Sequence, residues 1–436
     1  MTVRTLDARA LGLDAIVTAL ERPPSRVPRE IADAVDAILT DVRAHGDAAL
    51  VQLTARFDGF RASGAEALAI RPDEFAAAAA TLAPEVSAAL AYAAERIERY
   101  HAAAAPKSWR LTDEHGSVLG QEVRPLDRVG VYIPGGRAAY PSTVLMTALP
   151  ARVAGVREIV LVTPPAADGA VPPAVLAAAR LAGVTEGWRL GGAQAVGALA
   201  YGTASVRRVD KIVGPGNVYV ALAKARVFGE VGIDMVAGPS EVVVVADGSA
   251  APAWVAADLL AQAEHDPMAR ALLITDAPAQ VARVAAEIER QLATLPRREI
   301  AARALADNGA LILVGDLDAA VELANRLAPE HLELMVAVPA AWLPRVRHAG
   351  AVFLGAHTPE VVGDYVAGPN HVLPTAGTAR FASPLGTEDF VKRTSVIEYS
   401  PSGLAAAGPH LDALARIEGL EAHGRAARAR LGGDGR

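Results

Sequence analysis

Apolar residues recur at helical spacing early in the chain, at Ile31, Val35, Ile38, Leu39 and Val42. Leu50, Leu53 and Phe57 continue the pattern until Asp58-Gly59 breaks it. A longer helix is predicted from Pro84, a residue suited to a first turn, with Val86, Leu90, Ala93 and Ile97 on one face and Glu95 and Arg99 paired one turn apart. His45 and His101 fall within these helices and read as surface or packing residues. From residue 128 the rhythm changes. Strand-like runs at Val129–Ile133, Ile159–Thr163, Lys211–Val213 and Val242–Ala246 alternate with helical runs at 142–154, 172–182, 194–201 and 217–229. A second alternation follows: helix 252–265, strand 271–275, helices 278–292 and 298–306, strand 310–314, helix 317–327, strand 332–336. Alternation of this kind predicts βαβ units, hence two α/β lobes with mainly parallel sheets and ligands outside the carboxyl ends of the strands. Residues 355–395, rich in Gly, Pro and Thr, resist assignment, and a helical tail is predicted over 402–432.

Composition narrows the possibilities. A chain of 436 residues exceeds one simple core and suggests roughly two to four domains. Apolar content of 52% against 21% charged residues is globular, and the net charge of −7 argues against nucleic acid as the main partner. The longest uncharged stretch, Leu190 to Val206, is interrupted by four glycines and falls short of a membrane span. Met1–Asp7 lacks the apolar run of a signal peptide. Cysteine is absent, which removes disulfides and thiolate ligands and makes a soluble, cytoplasmic protein the expectation.

Several constellations could carry chemistry. Glu330 and His331 stand side by side after Pro329, between a predicted helix and strand, as an adjacent acid and base. Glycine turns follow predicted strands at Pro134-Gly135-Gly136, Gly191-Gly192 and Gly214-Pro215-Gly216-Asn217. Free backbone N–H groups at a helix start suit phosphate oxygens, but no turn completes GxGxxG, and tight-turn geometry explains each glycine as well. In Gln262-Ala263-Glu264-His265-Asp266-Pro267 the amide and the imidazole share a helix face near its end. A metal there would need two further ligands, with Asp364 and His423 as candidates, and such a donor set suits Zn2+. On residues 262–265 alone, a capping Gln and a surface His are the better explanation.

These segments together resemble the histidinol dehydrogenases across nearly the whole chain. The resemblance rests on Arg128–Arg137, Pro141–Met146, Gly214–Asn217, Ala237–Glu241, Asp258–His265, Ala328–Glu333, Gly368–Pro374 and Glu418–His423. It implies a zinc-dependent homodimer that oxidises L-histidinol to L-histidine through histidinal with two NAD+, at the end of histidine biosynthesis. By matching position, Gln262, His265, Asp364 and His423 would hold Zn2+, and the same four would also meet substrate. Ser240, His331, His371 and Glu418 would complete the substrate contacts. Tyr132, Gln194 and Asn217 would touch NAD+, with Glu330 and His331 catalytic. The implied fold has two lobes with incomplete Rossmann-like sheets. Residues 27–131 and 239–385 would form the lobe with the metal and catalytic residues, and 132–238 the NAD-binding lobe. An N-terminal tail (1–26) and a C-terminal tail (386–436) would flank them, the latter crossing to the partner subunit to supply Glu418 and His423. Rival readings are a zinc- and NAD-dependent dehydrogenase of another primary alcohol and, in another class, a zinc hydrolase using Glu330.

Overall fold

The computed structural model describes residues 3–21, 27–135 and 139–432. Gly136 and Arg137 of the first glycine turn lie outside the described residues, as do 1–2, 22–26 and 433–436 of the expected tails. Among the described residues, the first sheet orders its strands Arg4–Asp7, Ala310–Leu313, Arg270–Thr275, Glu241–Ala246, His331–Met335 and Ala351–Leu354, all parallel. The second orders Ala69–Ile70, Glu186–Arg189, Glu158–Thr163, Arg128–Tyr132, Lys211–Val213 and Gly232–Ile233, with only the edge strand Ala69–Ile70 antiparallel. The predicted α/β class with mainly parallel sheets therefore holds.

The run Glu241-Val-Val-Val-Val-Ala246 shows why the first sheet is buried on both faces. Every residue of the strand is buried. Val242, Val244 and Ala246 pack with Leu259 and Ala263 of helix Pro252–Ala263, while Val243 and Val245 pack with Ala320, Leu323 and Ala324 of helix Leu317–Leu327.

The lobes divide differently from the expectation. Strand Arg128–Tyr132 is central in the second sheet, so a boundary at residue 131 would cut it. Helix Arg29–His45 buries Val35, Leu39 and Val42 against Val196 and Leu199 of helix Gly192–Tyr201, beside that same sheet. Helix Pro84–Ala104 places Ile97 in the core around Val129, Val131 and Leu145. Residues 29–104 thus belong with the second sheet, whereas Arg4–Asp7, expected in a tail, pairs with Ala310–Leu313 at the edge of the first. Periodicity reveals that a helix has an apolar face, not which sheet covers it. The C-terminal strand Val391–Glu398 pairs antiparallel with Val118–Pro125, which also pairs with Trp109–Thr112. The tail is therefore anchored by residues expected in the first lobe. Helices Pro401–Ile417 and Glu421–Arg430 follow it.

Among the described residues no single helix is long and apolar enough to cross a membrane. The bent pair Pro72–Thr81 and Pro84–Ala104 passes such a test only jointly, and it packs against neighbouring helices of the second lobe.

His101 is a packing residue, as expected, and its ring is 2% exposed with neither nitrogen hydrogen-bonded. Burial depresses its pKa from 6.5 to about 4. Between those values the unfolded chain binds the extra proton, so stability falls as pH drops through 6.5. At about pH 5 the loss is about 2 kcal/mol relative to neutrality. His101→Leu should flatten this dependence in melting experiments at neutral and acid pH. A variant whose acid destabilisation matches the wild type would refute the account.

Candidate active site

Asp316 begins helix Leu317–Leu327, its Oδ1 accepting from the Ala319 N–H at 2.8 Å. The helix ends at Ala328, which is buried with φ +48°, a left-handed conformation unusual for a residue with a side chain. Pro329 disfavours continuing the helix at Ala328, and the turn delivers Glu330 and His331 to the amino end of strand His331–Met335. Both side chains are buried. Glu330 Oε2 accepts from the Glu241 N–H at 2.9 Å, and His331 Nδ1 lies 3.1 Å from the Glu241 carbonyl oxygen. A carbonyl only accepts, so Nδ1 carries the proton and Nε2 is the acceptor. Burial pushes the His331 pKa down to about 3, leaving a neutral imidazole, and the neighbouring His265 and His371 act in the same direction. Glu330 is pushed well above the usual carboxylate range by burial, with the charges of Glu241 and Asp364 adding to the effect.

The pair stands at the edge of a buried carboxylate group. His331 Nδ1 is 3.7 Å from Glu330 Oε2 and 3.7 Å from Glu360 Oε1. Glu333 Oε1 accepts from the Glu360 N–H at 2.9 Å. Burial raises the pKa values of both Asp258 and Glu333, and the charge of Asp258 adds to the rise at Glu333. The end of the Gln262 amide lies 2.5 and 3.1 Å from the Glu360 carboxylate oxygens, which accept when ionised, so hydrogen-bond chemistry assigns the amide nitrogen to that side and the carbonyl oxygen to the other. His371 Nδ1 meets the Asp364 carbonyl oxygen at 2.9 Å, and its Nε2 lies 3.4 Å from Thr143 Oγ1. Burial lowers His371 to about 4 and raises Asp364 to about 6. His265 is exposed, though surrounding protein still lowers its pKa by desolvation. Neutral imidazoles, a carboxylate and an amide oxygen are the donors a borderline cation takes. Among the described residues, His331, Glu360 and Asp364 form a group whose ligand atoms lie within 4.8 Å of one another. That overlaps the expected set (Gln262, His265, Asp364, His423) only at Asp364. Gln262 nevertheless touches Glu360 and so borders the same group.

The candidate dinucleotide residues lie on the other sheet. Tyr132 ends its strand, and its hydroxyl accepts from the Gly192 N–H at 3.1 Å. Burial pushes this phenol up to about 12. Gln194 is buried with Nε2 3.4 Å from Asp58 Oδ2. Asn217 caps helix Val218–Val227, its Oδ1 accepting from Tyr219 and Val220, which leaves its amide nitrogen for a ligand. These three stand at carboxyl ends of strands, as predicted. Glu330, His331, Glu241 and Ser240 instead lie at amino ends in the first sheet, contrary to the expectation. The chain passes directly from Ile233, at a carboxyl end, to Glu241, at an amino end, so opposite edges of the two sheets are linked.

Glu418 and His423 are exposed on the C-terminal helices. Among the described residues, no hydrogen bond or ion pair ties them to this group. Sequence reasoning did not assign Glu241, Asp258, Glu333 or Glu360 to the site, nor Asp58. A signal was available for two of them. Glu333 lies two residues from His331 on the same strand face, and Asp258 one turn before Gln262 on one helix face.

A neutral imidazole of fixed tautomer, abutted by buried acids and linked to a glycine-rich strand edge, defines an α/β enzyme equipped for proton transfer. The particular family follows from comparison with known proteins. The family model "Histidinol dehydrogenase" matches residues 21–431, and the chain belongs to that family of oxidoreductases of histidine biosynthesis. It is 53% identical over 433 residues to the histidinol dehydrogenase of Geobacter metallireducens, covering 99% of each chain. The Rhizobium meliloti enzyme is 56% identical over 431 residues, with 97% of this chain and 98% of that one covered. A crystal structure of histidinol dehydrogenase from Elizabethkingia anophelis superposes with TM-score 0.94 at 36% identity, covering 98% of each chain.

Proposed function

We propose that the protein oxidises L-histidinol to L-histidine through histidinal, consuming two NAD+ and one water and requiring Zn2+. The observation that carries this reading is the buried His331, neutral and with Nδ1 held on the Glu241 carbonyl, directly beside Glu330. In both oxidations His331 Nε2 takes the proton of the hydroxyl whose carbon is oxidised. Before the second, the aldehyde must gain the elements of one water. Many aldehyde-oxidising enzymes add a cysteine thiolate at this point, and this chain has none. Glu330 takes one water proton while the hydroxyl oxygen bonds to the carbonyl carbon, and His331 returns to the carbonyl oxygen the proton it took in the first oxidation; neutral again, it then deprotonates a hydroxyl of the resulting hydrate.

Gln262, His265 and Asp364, with His423 of a second copy, would hold the zinc, and Tyr132, Gln194 and Asn217 the dinucleotide. When bound, zinc orients the substrate's imidazole and amine, and NAD+ accepts hydride. Ser240, His371 and Glu418 would complete the substrate pocket.

A homodimer with shared sites belongs to the same reading, as does a cytoplasmic location. The C-terminal helices support the shared site, since they expose Leu414, Ile417 and Leu420 around Glu418. The test is to follow NADH formation with histidinol and NAD+. Two NADH per histidinol are expected, with activity lost on chelation and restored by Zn2+. Absence of NADH formation by the zinc-loaded protein would overturn the proposal.

A further inference from the structure

The helix that follows the Gly214–Asn217 turn carries a lysine on its inward side. Lys224 is 2% exposed, and its ammonium pairs with Asp234, whose side chain is 1% exposed. The Lys224 Nζ donates to the Gly214 carbonyl oxygen at 2.8 Å. From the other side, Asp234 Oδ2 accepts from the Gly214 N–H at 2.8 Å, while Oδ1 accepts from Met235 at 2.6 Å. Both backbone polar groups of one glycine are thus held by the two members of one buried ion pair. Gly214 has φ +114°, and a Cβ there would lie 2.3 Å from the Tyr132 carbonyl oxygen. The turn is therefore pressed against the end of the Tyr132 strand.

A buried ion pair is weak support for stability, because desolvation of both charges offsets their attraction, and apolar residues of similar volume often serve as well. What apolar residues could not do is orient the N–H and C=O of Gly214 at once. We propose that Lys224 and Asp234 are positioning residues that set the Gly214–Asn217 turn, and with it Tyr132 and Asn217, in the geometry that binds the dinucleotide. The inference rests on the reading of those residues as the NAD+ site.

The neutral pair K224M/D234N removes both charges without leaving one unpaired. It is expected to keep the wild-type circular dichroism spectrum, to raise the Kd for NADH and the KM for NAD+ roughly 10- to 100-fold, and to shift KM for histidinol and kcat less than about twofold. NADH binding is read by its fluorescence without histidinol, independently of turnover. A folded double variant with wild-type affinity for NADH would overturn the inference, as would equal changes in every kinetic constant. K224Q/D234N, which also leaves no charge unpaired, is measured alongside, so that it decides by the same split if K224M/D234N does not fold. A wild-type enzyme that neither binds NADH nor reduces NAD+ would overturn the proposed function itself, an outcome distinct from a failed positioning role.

Discussion

Glu330→Gln is expected to lower the rate with histidinal as substrate by roughly 10²–10⁴-fold and to impair the oxidation of histidinol to the aldehyde far less. The substitution is nearly isosteric, and the new amide oxygen can still accept from the Glu241 N–H that Glu330 holds at 2.9 Å. Folding and the placement of His331 should survive. What disappears is a base beside the imidazole, and only the second oxidation consumes water. Burial, with the charges of the nearby Glu241 and Asp364, raises the Glu330 pKa well above the usual carboxylate range, so the group holds a proton more readily than a solvated carboxylate. The measurement is single-turnover NADH formation from histidinol and from histidinal, each with excess enzyme. Equal losses with the two substrates would remove Glu330 from its assigned step. If His331 serves both steps as proposed, a His331→Asn variant should lose both together.

Much of the frame could be read from apolar periodicity. Strand Lys211–Val213 and helices Pro278–Leu292 and Leu317–Leu327 fall where the pattern puts them. Glu186–Arg189 escaped because its four residues include a glycine and two charged groups, with Trp188 alone strongly apolar. The three strands of the antiparallel sheet escaped for a related reason. Trp109–Thr112 is exposed throughout and Val391–Glu398 largely so, and no buried face imposes a regular alternation on them. The site divides along similar lines. Glu330-His331 and Gln262–His265 are local in sequence and were visible as pairs. The contacts that give them their chemistry join residues far apart in the chain, such as Glu241 with Glu330 and Gln262 with Glu360. Glu360 sits in Thr358-Pro359-Glu360, inside a stretch with no periodic pattern, and only the folded chain brings it to His331. The site's position at the amino ends of the first sheet was likewise beyond a rule about carboxyl ends. The candidate dinucleotide residue Tyr132 stands at the carboxyl end of its strand in the second lobe, whereas His331 stands at the amino end of its strand in the first.

His265→Ala and His423→Ala are each expected to abolish zinc-dependent turnover, yet a mixture of the two inactive proteins should regain activity after subunit exchange. His265 lies at the end of the helix that carries Gln262, whereas His423 is exposed on the C-terminal helical pair. That pair is anchored through Ser400 and Ser402 to the His115 carbonyl oxygen. If the tail completes a neighbour's site, a mixed dimer holds one site with both histidines intact and one with both missing. Random exchange makes half the dimers mixed, so recovery should approach roughly a quarter of wild-type activity. A site completed within its own chain would give no recovery at any mixing ratio, because each protein would keep its own defect. The same experiment with Glu418→Ala in place of His423→Ala separates substrate binding from metal binding: recovery should occur again, while zinc content of the unmixed Glu418→Ala protein stays near that of the wild type. Loss of zinc from that variant would move Glu418 from the substrate pocket to the metal, and full activity would remove it from the site.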